Sequence, residues 1–265
     1  MSERLPVPLP PSFHPKIWGA TDLRPWFPPA AEKIGEVWFP PPAEVPILVK
    51  FLFTSARLSV QVHPDDDYAR RHENSAGKTE MWHILRASPG AEIALGFREP
   101  ITRERLRQAS LSGEIENLLR WIPVAPGETY FTPAGTVHAI GGGLALCEIQ
   151  QVSDVTYRLY DYGRPRELHL DKGVEVSDLG PHPGAQPADG ELLVECPYFR
   201  TEKLRFESER RYSYARTHLL ILIEGSGAFG NLPCRAGEAW LAPAEAEFII
   251  QPAGLLRMLR ASIPA

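Results

Sequence analysis

The sequence predicts an all-β protein of the sandwich or barrel type, built from two copies of one β unit with a small helical insertion in the first. Three observations lead there. Short apolar runs follow one another too closely for helices to alternate with them. Proline, at 27 of 265 residues, falls between those runs, where loops join strands. One eight-residue pattern occurs twice.

The runs that read as strands are residues 47–53, 58–62, 81–85, 92–96, 129–131, 145–150, 156–160, 218–223, 239–241 and 247–251. Residues 102–120 read as helical. Thr102 is placed to cap a helix over 103–109, and Ser112 one over 114–120, with Glu114 and Glu116 early in that helix where its dipole favours them. The Pro/Gly-rich stretch Gly180 to Gly190 reads as a linker. It divides the chain into a first domain, 1–183, carrying the insert at about 102–120, and a second, 184–265.

The repeat pairs Gly127-Glu-Thr-Tyr-Phe-Thr-Pro133-Ala with Gly237-Glu-Ala-Trp-Leu-Ala-Pro243-Ala at a shift of 110. Residues 83–86 match 221–224 more loosely at a shift of 138. The difference of 28 is close to the length of the helical insert with its flanks. Two copies of one unit, the first interrupted, is the economical reading.

Composition narrows the function. A net charge of −5 argues against nucleic-acid binding through bulk positive charge. No apolar run approaches the ~20 residues of a membrane helix, and the N-terminal residues lack the apolar stretch of a secretory signal. Cys147, Cys196 and Cys234 are too sparse for a disulfide framework. They read as small buried hydrophobes. The expectation is a soluble cytoplasmic protein.

Ligand-type side chains concentrate in three places. Gln61 and His63 lie two apart, so a strand points both to one face. Lys78 and Glu80 do the same. The turn Pro133-Ala-Gly135 delivers His138 onto the next strand. Two imidazoles and a carboxylate form a common catalytic metal set, completed by an amide oxygen and water. Oxygen and nitrogen donors without thiolate leave zinc, iron, manganese and nickel open. Asp65-Asp66-Asp67 reads as a solvated turn, and His83, three after Glu80, should face away from it. His14, His72, His169, His182 and His218 read as solvated or satisfied polar groups.

Gly127-x5-Pro133-x-Gly135-x2-His138 resembles the second box of the cupin superfamily. Gln61-x-His63 and Glu80 stand where the first box usually has two histidines and a glutamate. That variant resembles the type I mannose-6-phosphate isomerase family in its short bacterial form. Lys16-Ile-Trp18-Gly19, Gly35-Glu36-Val-Trp38, Leu58-Ser59-Val-Gln61-Val-His63-Pro64-Asp65, Gly77-Lys78-Thr79-Glu80-Met-Trp82 and Glu148-Ile-Gln-Gln-x-Ser153-Asp154-x-Thr-Tyr-Arg158 extend the likeness over about residues 14–165. The resemblance implies a double cupin, two jelly-roll barrels. It implies one divalent metal ion, usually zinc, held by Gln61, His63, Glu80 and His138. The activity implied is interconversion of mannose 6-phosphate and fructose 6-phosphate. Lys78, Arg158, Glu148 and Asp154 match the family's catalytic positions, and Ser59 its phosphate contact. Phe248 stands at the repeat position of His138, so the second copy is expected to be degenerate and metal-free. The chain departs from longer members in lacking their large helical domain and in having Ala139-Ile140 after His138, where many carry an aromatic residue.

Isomerisation moves a proton between two carbons while charge shifts onto oxygen, so it needs a base, an electrophile and a phosphate grip. Lys78 suits either proton relay or anion binding. Arg158 suits phosphate binding or oxyanion stabilisation, or an ion pair with Asp154. Glu148, Asp154 and Arg158 share strand parity, which predicts one wall. The enediol base stays open between Glu148 and Asp154. Trp18, Trp38 and Trp82 read mainly as core. The phosphorylated hexose is the expected partner, to a monomer or homodimer without membrane or nucleic acid. The alternative is a non-catalytic sugar-phosphate-binding cupin with a regulatory role. A cupin oxygenase using iron is disfavoured by Gln61 in place of a histidine.

Overall fold

The structure, a computed structural model, describes residues 5–264. In chain order the first part carries β1 (Val7–Pro8), β2 (Ser12–Ala20), β3 (Ile34–Phe39), β4 (Ile47–Phe53), β5 (Val60–Val62), α1 (Asp66–Glu73), β6 (Glu80–Ala87) and β7 (Glu92–Phe97). There follow α2 (Arg103–Ser112), α3 (Ile115–Leu118), β8 (Leu119–Pro123), β9 (Thr129–Thr132), β10 (His138–Ile140), β11 (Leu144–Gln151), β12 (Tyr157–Tyr160) and α4 (Leu170–Val176). The remainder is all strand: β13 (Leu192–Glu195), β14 (Arg200–Phe206), β15 (Arg210–Tyr214), β16 (His218–Glu224), β17 (Ser226–Phe229), β18 (Leu232–Arg235), β19 (Ala239–Ala242), β20 (Ala246–Pro252) and β21 (Leu256–Ser262).

These strands form four antiparallel sheets, ordered β2-β3-β4-β11-β6-β9, β12-β5-β10-β7-β8, β1-β19-β16-β21-β14-β13 and β15-β20-β17-β18. The buried clusters give the layering. Trp18, Leu52, Trp82 and Leu146 of the first sheet pack on Ile93, Leu95 and Ile140 of the second. The outer face of the second sheet, with Val60, Val62 and Leu159, is covered by Leu106, Ala109, Ile115 and Val174 of the helices. The outer face of the first sheet, with Val49, Phe51 and Phe53, meets Leu219, Ile221 and Leu259 of the third. Burying both faces of one sheet explains why β4, Ile-Leu-Val-Lys-Phe-Leu-Phe, is buried at every position rather than alternating. The first and third sheets therefore share one continuous core, and Val7–Pro8 crosses to pair with Trp240 and Leu241.

Register makes the internal repeat physical. His83 pairs with Thr129, as Ile221 pairs with Ala239. Gly127 and Gly237 both have φ +92°, a conformation that favours glycine. Each donates its N–H back to the preceding strand, to Ile84 and Leu222. Glu128 accepts from Ala125 N–H and the Tyr130 hydroxyl; Glu238 accepts from Arg235 N–H and the Trp240 indole.

The helical stretch is shorter than its sequence predicts. Thr102 Oγ1 accepts from Arg105 N–H at 3.1 Å and starts α2 as expected. Ser112 is the last residue of α2 rather than the cap of a second long helix, and α3 is one turn. Leu119 and Arg120 belong to β8, because β7 offers that segment strand hydrogen bonds, with Phe97 opposite Leu119. The run Asp65-Asp66-Asp67 is not a bare turn. Asp65 accepts from Tyr68 N–H at 2.8 Å and caps α1, whose first turn holds Asp66 and Asp67, where carboxylates oppose the helix dipole. Helices α1 and α4 are too short to leave a periodic apolar signature.

Candidate metal centre

The site lies between the first two sheets. The end of β5 delivers His63, the start of β6 Glu80 and the start of β10 His138. The ligand-type atoms of these three lie within 4.8 Å of one another. His138 Nε2 is 3.5 Å from Glu80 Oε1, and His63 Nε2 is 3.6 Å from Glu80 Oε2. Each imidazole is oriented through its other nitrogen: His63 Nδ1 lies 2.9 Å from Val155 O and His138 Nδ1 2.8 Å from Thr136 O. Those carbonyls accept the ring protons and leave both Nε2 lone pairs turned inward. Burial, the larger cause, and nearby Lys78 push both imidazoles down, His138 to about 4, so both are neutral at pH 7. Glu80 Oε1 and His138 Nε2 are buried without a hydrogen-bond partner among the described residues, and Glu80 Oε2 has only the Lys78 ammonium beside it, at 3.0 Å. Orphaned acceptors in a dry cavity are costly unless a cation meets them. The donor set fits a divalent ion, with nitrogen and oxygen atoms only.

Gln61 pairs across the ladder with His138 on one side and Arg158 on the other, so the three share one sheet face. Ser59 is buried, its hydroxyl 3.5 Å from Gln61 Oε1. Arg158 gives Nη1 to Glu167 O at 2.7 Å, while its Nε is buried and unpartnered. Burial, ahead of repulsion from Arg166, lowers its pKa from the ordinary arginine value.

The opposite wall is one row across the first sheet, Trp38–Lys50–Glu148–Trp82–Tyr130. Lys50 Nζ is 3.4 Å from Glu148 Oε1 and stands 4.2 Å above the Trp38 ring. The Trp82 indole donates to Glu148 Oε2 at 3.2 Å. Lys78 Nζ is 3.0 Å from Glu80, 3.1 Å from His63 Nε2 and 4.0 Å from Glu148. Burial works to lower the Lys78 pKa, but the Glu80 and Glu148 carboxylates outweigh it and hold the ammonium above its ordinary value. Burial, then Glu80, raises Glu148.

Parity does not put Glu148, Asp154 and Arg158 on one wall. The strand β11 ends at Gln151, and the loop after it crosses between the sheets. Glu148 and Arg158 consequently face each other from different sheets. Asp154 is in the loop, its side chain 69% exposed and 4.0 Å from Lys50. Sequence reasoning missed Lys50 and its neighbour Glu36, whose carboxylate accepts from the Trp38 indole at 2.8 Å. A signal for Lys50 was present: one charge inside a seven-residue strand that is otherwise apolar.

No family model matches the chain. Among curated proteins it is 34% identical to one named probable mannose-6-phosphate isomerase from Bacillus subtilis, over 93% of this chain and 96% of that one. The chain belongs to the mannose-6-phosphate isomerase family. A second Bacillus subtilis member, named mannose-6-phosphate isomerase, is 40% identical over 75% of this chain and 69% of its own. The crystal structure of a mannose 6-phosphate isomerase from the same organism superposes with a TM-score of 0.86 at 30% identity, covering 98% of this chain and all of that one. Among family members, the His63–Glu80–His138 cluster is thus in a molecule of the same architecture.

Proposed function

We propose that the protein is a metal-dependent aldose–ketose isomerase interconverting mannose 6-phosphate and fructose 6-phosphate in the cytoplasm. The observation that carries this reading is the buried His63–Glu80–His138 cluster with its unpartnered acceptors, in a chain of this family. Gln61, on the face that carries His138, supplies the fourth ligand, and zinc is the ion best suited to two imidazoles and a carboxylate. A divalent cation held there supplies Lewis-acid polarisation of the substrate's oxygens.

The side chains divide the remaining work. Ser59 and Arg158 grip the phosphate, the guanidinium matching its geometry. Lys78, protonated between Glu80 and Glu148, steadies the developing negative oxygen. Glu148 moves the proton between the two carbons. Its burial supports this role over the exposed Asp154, because desolvation raises a carboxyl toward the range useful for general-base work. Asp154 and Lys50 set the charge around it. The buried walls keep water from the enediol.

The two β units read as a cupin pair: residues 1–183 catalytic, 184–265 without metal. The repeated registers support this division. Phe248 pairs with Tyr212 in the second unit as His138 pairs with Gln61 in the first, so aromatic side chains occupy two ligand positions.

A coupled assay for fructose 6-phosphate formed from mannose 6-phosphate tests the reading. Turnover should vanish on chelation and return with zinc. Metal-loaded protein that binds the sugar phosphate without turning it over would instead make this a sugar-phosphate-binding protein.

A further inference from the structure

A cleft of about 1070 Å³ opens where the first and third sheets diverge, on the far side of β6 from the metal cluster. Its walls are the repeated ends of β6 and β16 with the turns at Gly127 and Gly225, and its floor is β14 and β21. On that floor the apolar face that packs between the sheets ends in charge. Lys203 and Arg205 lie two apart on one face of β14, and Arg205 pairs directly with Arg257 of β21. Like charges opposed across a ladder destabilise it. Arg86 and Arg235 add two more cations, and the carboxylates in the lining are those of Glu191 and Glu224.

Internal ion pairs leave part of this charge unanswered. Arg257 pairs with Glu224, Arg205 with Glu207 and Arg235 with Glu238. Lys203 has no carboxylate partner among the described residues. Facing it is His83, 2% exposed and lining the cleft. His83 Nδ1 is 2.9 Å from Thr129 Oγ1, and its Nε2 has no partner among the described residues. In the tautomer that Thr129 supports by donating to Nδ1, Nε2 carries the proton. With the ring in that tautomer, the His83 N–H and the Lys203 ammonium both line the cleft, and neither has a carboxylate partner among the described residues. Both lower their cost by meeting an anion rich in oxygen. Trp26, held by its indole N–H on Ile223 O at 2.8 Å, gives the same cleft a flat apolar wall.

We propose that this cleft binds a phosphate group, free or as an ester of a small metabolite, between Lys203, His83 Nε2 and Arg257. The site is separate from the isomerase pocket: His83 points to the opposite face of β6 from Glu80 and Trp82. Occupancy would also tie the two β units together, since His83 belongs to the first and Lys203 to the second.

Equilibrium dialysis of radiolabelled inorganic phosphate against the metal-loaded chain, at constant ionic strength, tests this. Lys203→Glu and the milder Lys203→Met are the variants, with isomerase turnover measured on each as the check of folding. The expected result is loss of about one bound phosphate per chain, or affinity weakened about ten-fold or more, with turnover unchanged. Displacement of the label by glycerol 3-phosphate at lower concentration than by unlabelled phosphate would assign the cleft to an ester, and equal displacement to the free anion. Isotherms that coincide for the parent chain and both variants overturn the proposal. So does a loss of binding that occurs only together with a loss of turnover.

Discussion

Acid should weaken the second β unit through His218, and His218→Gln should remove that weakness. His218 pairs with Ala242 as Glu80 pairs with Thr132, so it stands at the repeat position of Glu80 in the candidate metal cluster. It is fully buried. Nδ1 lies 2.7 Å from Arg216 O and Nε2 2.8 Å from the Tyr212 hydroxyl. These contacts suit a neutral ring, donating at one nitrogen and accepting at the other. Burial, ahead of the opposed influences of Arg260 and Glu202, pushes the imidazole down to about 4 from an ordinary 6.5. Between those values the unfolded chain holds a proton that the folded chain refuses, so stability falls as pH falls. At about pH 4.5 the loss from this one group is about 2.5 kcal/mol, and above about pH 7 it is nil. Urea unfolding of chelated protein at both pH values measures it for the parent and the variant. The other buried histidines, His63, His83, His138 and His182, add an acid loss common to both proteins, which cancels in the comparison. The parent should lose about 2.5 kcal/mol more than His218→Gln on acidification. Equal losses would refute the assignment of His218 as a neutral structural ring.

Three further outcomes follow from the first unit. Glu80→Gln removes the one carboxylate of the cluster, and competition with a chromophoric chelator should show metal affinity down by more than the about 10–100-fold typical of an outer hydrogen-bond partner. Lys50→Met removes the nearer cation of buried Glu148 and leaves it the Lys78 ammonium at 4.0 Å and the Trp82 indole, which should cost about 1–3 kcal/mol in urea unfolding, an effect that a Lys50→Met, Glu148→Gln double variant should largely relieve. Gly77→Ala would place its Cβ 2.5 Å from the backbone of Asp65 and Asp66. That contact should shift Lys78 away from Glu80, read as a fall in kcat with the circular dichroism spectrum retained.

Candidate site residues close together in sequence were legible as same-face pairs before any fold was known. Gln61 with His63, and Lys78 with Glu80, follow from the two-residue period of a strand. His138 follows from the Pro133-Ala-Gly135 turn that launches β10. The repeat was legible for a similar reason: Gly127 and Gly237 need the same positive φ, which constrains residue type locally. Lys50 left a signal as the one charge in an apolar strand, but its place in the site, like that of Glu36, was not legible, because each reaches the site only through neighbours on other strands. The parity argument for Asp154 and Arg158 failed because periodicity holds only while a strand continues, and β11 stops at Gln151.

The amino-acid sequence by itself determined the β architecture, the internal repeat and the pairing of candidate site residues on single strand faces, since each is written in short-range spacing. Tertiary structure alone decided that Glu148 and Arg158 face each other across the cavity and that 119–123 is strand rather than helix. It also decided that one core runs from the first sheet into the third. Those outcomes depend on which strands become neighbours, and hydrogen bonds and burial between distant segments choose the neighbours, not the residues within any one segment.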